Sequence, residues 1–452
     1  MMSTVNSESY TQLLERQHEL QHTVAELKTR LAYSKRELQN TTETLRKWRH
    51  RIYPVLTLPD EITSLIFVHC VYEDALIPLG PYDVRMKLLR VCRAWRWIAI
   101  STPDLWTGLH LKFNRGPFPY DFFETDRFEG FLDDWVARLA ALPLTLNLHG
   151  GRCLSARAEA WIPLILDKFS SNLHTLAIFV PISGYPECPP TFPLLRKIAL
   201  SVPDLAFEYG QLKENPLHLQ VEVFTASKLE AAECINVLNM SPALVEFTAR
   251  NVPDRVLSGI PTVSHDHLKS LSLVRSDVLL SKLGEFPALE TLDNILTDQA
   301  KNLEVSKFIS SSGCSASASL VRLSCPAVHP KTFVETDALR TLKLYSTTEG
   351  YMHKFAILLN RKYNPLFLPQ LEVLEIEDSQ PVVNIVLSEA LTSRSTVSSE
   401  QGAKLSCFRQ LWRNVVAEGL KVDFEGSTGL ILGELAKNGM IIDIRPGNLV
   451  RT

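Results

Sequence analysis

The hexapeptide Leu268-Lys269-Ser270-Leu271-Ser272-Leu273 places apolar residues at its first, fourth and sixth positions. Its second half alternates apolar and polar, the period of a strand with one buried face. The same Leu-x-x-Leu-x-Leu frame fits Leu173/Leu176/Ile178, Leu195/Ile198/Leu200, Val221/Phe224/Ala226 and Leu244/Phe247/Ala249 upstream. Downstream it fits Leu289/Leu292, Leu320/Leu323/Cys325, Leu339/Leu342/Leu344 and Leu371/Leu374/Ile376. Starts lie about 19 to 32 residues apart, the scale of one strand plus one helix or turn. Such a unit cannot bury its apolar face alone, so units of this kind stack.

That spacing points to an irregular, leucine-rich-repeat-like solenoid of strands and helices over 107–452, with short alternating strands from Leu109 onward. The Asn that commonly follows the frame is missing from most repeats. An α/β domain whose strands merely share an apolar pattern is the competing reading. Between frames, Glu159 to Phe169, Lys228 to Leu238 and Tyr351 to Asn360 have helical apolar spacing, with Pro163 predicting a kinked first helix. Ser310 to Ser319 and Thr392 to Lys404 are small, polar and expected to be loops. Leu405 to Asp443 reads as strand, helix and strand, with Gly439 as a helix C-cap.

At the other end, Gln12 to Ile52 has no Pro or Gly, and apolar residues return at alternating steps of three and four. That is a heptad pattern. With Leu20 at position d, Val24, Leu31, Leu38 and Leu45 fall at a, and Leu13, Leu27 and Trp48 at d. Gln17, Ser34 and Thr41 are its polar seam positions. Two arrangements bury this stripe: a coiled coil with a second copy, or a helix folded back on its own chain. The basic run Arg46 to Arg51 closes the helix, where cations face the negative end of its dipole. Trp48 is expected to be packed, and nucleic acid is not an expected partner.

Between these regions, Leu58 to Trp106 carries more apolar surface than so few residues can bury internally. Thr57, Pro59, Asp60 and Glu61 form a helix start, and Ile62, Leu65, Ile66 and Val68 follow at helical spacing. Gly80 and Pro81 mark a turn. One further helix takes up Val84, Leu88, Leu89, Val91, Cys92, Trp95, Ile98 and Ala99, ending before Pro103. Trp95, Trp97 and Trp106 need cover from the rest of the chain or from a partner.

Leu58-Pro59-Asp60-Glu61-Ile62, then Leu89-Arg90-Val91-Cys92-Arg93-Ala94-Trp95-Arg96, then Pro103-Asp104-Leu105-Trp106 resembles the F-box, in the form found in fungal F-box-like proteins. The resemblance covers about a ninth of the chain. It implies a trihelical module that docks a Skp-type adaptor and, through it, a cullin scaffold, a RING subunit and a ubiquitin-charged carrier enzyme. Leu58, Pro59, Ile62, Ile66, Leu89, Val91 and Trp95 match the motif's apolar positions, some facing the adaptor and others holding the helices together. Cys92 matches a buried thiol of the family. The connection Val71 to Arg85 is longer than in a compact F-box. The implied role is substrate receptor of a ubiquitin ligase, with an unknown protein substrate on the solenoid. A non-catalytic scaffold that uses the same solenoid and coiled coil without ligase assembly is the alternative.

Composition agrees with a multidomain α/β (α+β) chain divided at about 1–53, 54–106 and 107–452. A formal net charge of -3 gives no whole-chain attraction to nucleic acid or acidic membranes. No apolar run reaches the roughly 18 to 20 residues of a membrane span. The eight cysteines are scattered without a CxxC pair, as in an intracellular protein with reduced thiols. His265-Asp266-His267 lacks the further ligands of a zinc site and reads as a solvated turn. No phosphate loop, nucleophile elbow or metalloprotease helix occurs, so neither catalysis nor a cofactor or metal is expected.

Overall fold

The structure is a computed structural model that describes residues 3–52, 58–71, 75–77, 83–113, 127–150, 156–180, 192–201, 220–253, 259–295, 302–311, 319–326, 328–345, 348–378, 385–395, 403–412 and 427–446. It divides into two compact units, Met1–Tyr72 with Val84–Leu105, and Glu73–Asp83 with Trp106–Thr452. Trp106, expected to end the helical module, therefore belongs to the second unit.

The first unit is helical. Ser3–Ile52 is one helix of 50 residues. Three short helices follow, Asp60–Cys70, Val84–Val91 and Arg93–Ile100. The first has Pro59 at its N-cap with no side-chain cap, so Asp60 and Glu61 in the first turn are what favour its positive end. Thr57, the expected cap, lies outside the described residues, as do Gly80 and Pro81. The single helix expected from Val84 to Ala99 is instead two. Cys92 is extended (φ -160°, ψ 174°) and its Sγ accepts the Trp95 amide at 3.4 Å, a capping interaction made by sulfur. Half-buried Cys92 is thus a helix cap and not the buried packing thiol expected of it.

The second unit is built on one parallel sheet. Its first strands are β1 (Ala75–Ile77), β2 (Gly108–Lys112), β3 (Leu144–His149), β4 (Leu173–Phe179) and β5 (Lys197–Ser201). Then come β6 (Val223–Ser227), β7 (Glu246–Arg250), β8 (Ser270–Val274), β9 (Thr291–Ile295) and β10 (Arg322–Pro326). The last are β11 (Thr341–Tyr345), β12 (Val373–Asp378), β13 (Cys407–Trp412) and β14 (Ile441–Pro446). Among the described residues, spatial order equals chain order through these 14 strands, and every pairing between them is parallel.

Register explains why the repeated frame works. Its second position forms one ladder, in which Leu176, Ile198, Phe224, Phe247, Leu271, Leu292, Leu323, Leu342 and Leu374 are successive partners. The ladder extends beyond the recognised frames to Leu109 and Leu146 before it and Phe408 and Ile442 after it. All frame positions are buried except Ile198, which is half-buried. Such a row continues one core from unit to unit, and it fixes register because a one-residue slip turns every leucine outward.

Asn294 interrupts the third-position row. It pairs with Leu273, is fully buried, and neither polar atom of its side chain has a partner among the described residues.

Three strand ends share a main-chain turn. Lys228, Asn251 and Arg275 each follow a strand end immediately and adopt positive φ (60°, 53° and 53°). The Lys228 amide donates to the Arg250 carbonyl (2.7 Å) and the Asn251 amide to Val274 (2.8 Å), so successive turns are tied together by backbone.

The expected helices are present as Ala156–Phe169, Ala231–Met240 and Glu349–Leu359. The first runs through Pro163 without ending. Ser310 and Ser311 finish the helix Asn302–Ser311, and the rest of that expected loop, up to 318, lies outside the described residues. Thr392 to Ser395 is not loop but the last turn of Ile385–Ser395. Its Arg394 is fully buried, donating to the carbonyls of Leu359 (2.9 Å), Leu368 (2.5 Å) and Phe367. Burial in this apolar setting, with Arg361 nearby, brings the Arg394 guanidinium down to about 9. Helix Ser427–Lys437 ends in a Schellman turn, with Gly439 at φ +89°, its amide donating to Ala436 and the Met440 amide to Leu435.

Candidate protein-interaction surface

Motif residues of the helical unit separate into two sets. Phe67 is buried, its ring edge-on to Trp95 (centroids 4.9 Å, planes 60° apart), and Leu88, Ile98 and Ala99 complete this small core. Arg85 is also buried and its Nε donates to the Leu105 carbonyl at 2.7 Å. Thr63 and Thr102 return their hydroxyls to the Pro59 and Ile98 carbonyls, so these two buried hydroxyls are matched locally.

The second set faces outward. Leu58, Ile62, Leu65, Ile66 and Val91 range from 37% exposed at Leu58 to 58% at Val91. Pro59 is exposed too, Leu89 and Trp95 are half-buried, and Trp95 Nε1 is a buried donor without a partner among the described residues. Ile62, Leu65 and Ile66 stand at i, i+3 and i+4 on one helix, so they share a face. This helix therefore carries an aliphatic stripe on its outside with an aromatic pair behind it. Of the seven residues matched to the motif's apolar positions, Leu58, Pro59, Ile62, Ile66 and Val91 are the outward ones, and Trp95 belongs mainly to the core. Leu65, Trp97 and Ile100 are exposed and were not among the seven. The helical spacing of Leu65 with Ile62 was the signal for it, whereas nothing in the sequence sorts Trp97 from Trp95.

On the N-terminal helix every described side chain from residue 10 to 48 is exposed. The seam residues Leu13, Leu20, Val24, Leu27, Leu31, Leu38 and Leu45 range from 48% at Val24 to 68% at Leu38. Within the helical unit no described residue buries this stripe, and Trp48, expected to be packed, is exposed as well.

The sheet carries a polar set between its buried rows. Ser272, Asp293, Ser324, Lys343, Glu375, Arg409 and Asp443 are register partners from β8 to β14. Arg409 pairs with Glu375 (2.8 Å), Lys343 with Glu377 (3.0 Å), and the Tyr345 hydroxyl with Ser324 (2.6 Å). Towards the first strands the same sheet offers rings, with His149 between His110 (4.4 Å) and Phe179 (4.3 Å). Burial, then the charges of His110 and Lys112, holds the His149 imidazole below its usual value.

His265 is buried, not solvated as expected, with one ring nitrogen 2.9 Å from the Ser241 carbonyl and the other accepting the His267 amide. Among the described residues no group of three His, Cys, Asp or Glu side chains could hold a metal ion. Cys234, Cys325 and Cys407 are buried free thiols, each pushed up chiefly by burial. Cys153, Cys188 and Cys314 lie outside the described residues. No helix among the described residues is long and apolar enough to cross a membrane. No family model matches the chain, and no curated protein matches it.

Proposed function

We propose that the helical module is an F-box-like adaptor-docking unit and that the chain is a substrate receptor of a Skp-cullin-type ubiquitin ligase inside the cell. The observation that carries this reading is the outward stripe Leu58, Ile62, Leu65 and Ile66 with Val91, set over a core closed by Phe67 and Trp95. A motif kept only for folding would turn these residues inward. The parallel sheet, with frames stacked in chain order, supports reading the second unit as a leucine-rich-repeat-like platform for a protein substrate. The chemistry then belongs to other subunits, and this chain supplies proximity, turning a bimolecular encounter of substrate lysine and ubiquitin thioester into a local one.

Co-expression with a Skp-type adaptor tests the proposal. The wild-type chain is expected to co-purify with the adaptor, and Ile62→Ser with Ile66→Ser to weaken binding by about 2 kcal/mol or more, the scale of interface anchors. Because both positions are exposed, the double variant should unfold within about 1 kcal/mol of wild type. A wild-type chain that never binds the adaptor overturns the ligase reading.

A further inference from the structure

We infer that the N-terminal helix pairs with a second copy of this chain as an antiparallel coiled coil, in the register that sets Val24 opposite Leu27 of the partner copy. The inference stands apart from the adaptor reading and rests on the exposed seam and on which residues each arrangement would bring together.

In an antiparallel pair each a position faces a d position of the other helix. With Val24 opposite Leu27, the next layers set Leu31 opposite Leu20 and Leu38 opposite Leu13. The one polar layer within residues 13–38 sets Gln17 opposite Ser34, so polar meets polar and apolar meets apolar throughout. That matched stretch is about 39 Å long at about 1.5 Å per residue. The two-fold axis repeats each layer, and these seam side chains are exposed.

Flanking charges choose between arrangements. In this register the g positions face one another, placing Arg16 against Glu37 twice by symmetry and Thr23 against Arg30. The e positions place Leu14 against Lys35 and Gln21 against Lys28. No like charges meet at these flanking pairs, and the lysine stems can lie along their apolar or polar partners. A parallel pair would place Arg30 against Lys35 twice, with no opposing pair in compensation. Sliding the antiparallel pair by one heptad would set Val24 opposite Ser34, Arg30 opposite Arg30 and Lys28 opposite Lys28. Only the chosen register combines a matched seam with opposite charges.

Sedimentation of the full chain tests self-association, and a photo-crosslinking benzoylphenylalanine in place of Leu13 tests direction, with one copy isotope-labelled to mark intermolecular products. A dimer is expected at tens of micromolar, with cross-links landing near Leu38. Glu37→Arg should weaken the dimer about tenfold, since each attractive flanking pair becomes repulsive, and Arg16→Glu with Glu37→Arg should restore it. A monomeric chain at that concentration, cross-links landing near Leu13, or a Glu37→Arg dimer as tight as wild type overturns the inference.

Discussion

Replacing Trp106 by Ala should cost the sheet unit about 4 to 6 kcal/mol, a large share of the stability a domain commonly has. Trp106 has no exposed surface. A buried tryptophan removes roughly 150 to 250 Å² from water, and its truncation in a core costs about 3 to 5 kcal/mol. Its ring also meets Trp135 edge-on at 5.0 Å and 89°, and the Arg138 guanidinium lies 4.9 Å from its centre. Those contacts add about 1 kcal/mol or more. The Trp135 indole donates to the Trp106 main-chain carbonyl at 2.9 Å, a bond that survives the substitution, so the loss is one of packing. Urea unfolding followed by far-ultraviolet circular dichroism gives the magnitude, and hydrogen exchange over Gly108–Lys112 and Leu144–His149 locates it. Trp97, 61% exposed, is the control and its change to Ala should stay within about 0.5 kcal/mol. A Trp106→Ala cost below about 1 kcal/mol, or an equal cost at Trp97, would refute the reasoning.

Two more outcomes follow from buried polar groups. Asn294→Leu should stabilise the sheet unit by about 1 to 3 kcal/mol, because it removes a buried amide with no partner and completes the third-position row; a lower urea midpoint would show that the site needs its amide. For His149 the folded-state value lies below the usual 6.5, so the unfolded chain takes up the proton first. Its contribution is whole above that value and is lost as pH falls below it. Melting between pH 7.5 and 5.5 should therefore decline more steeply for wild type than for His149→Asn, and parallel declines would count against it.

Nine apolar frames, from Leu173 to Ile376, placed the strands from β4 to β12 because a stacked parallel sheet repeats one local pattern. Three kinds of feature stayed hidden for physical reasons. Strand β1 is three residues long, too short to show a period, and sits beside Pro78, Gly80 and Pro81. Arg394 looked like loop because its burial depends on three carbonyls supplied from far along the chain. The helical break at Cys92 left no trace in the apolar spacing, and only the resemblance implied it, since its cap is a thiol and not the hydroxyl or carboxylate that usually marks a helix start. For the proposed docking surface, the motif named the apolar positions, but only the fold separates outward Ile62 and Ile66 from Trp95, which packs on Phe67.

Strand β1 also alters what can be cut away. The chain leaves the helical unit after Tyr72, contributes Ala75–Ile77 beside Gly108–Lys112, and returns at Val84. The two units are therefore interlaced in sequence and have no single junction. A deletion that begins the chain at 107 would strip the sheet of its first strand, baring the β2 edge with Leu109 and Leu111 beside it, an invitation to pair with another chain. Exchange of the helical module between proteins, by recombination or in the laboratory, would need to carry that strand along or supply a substitute for it.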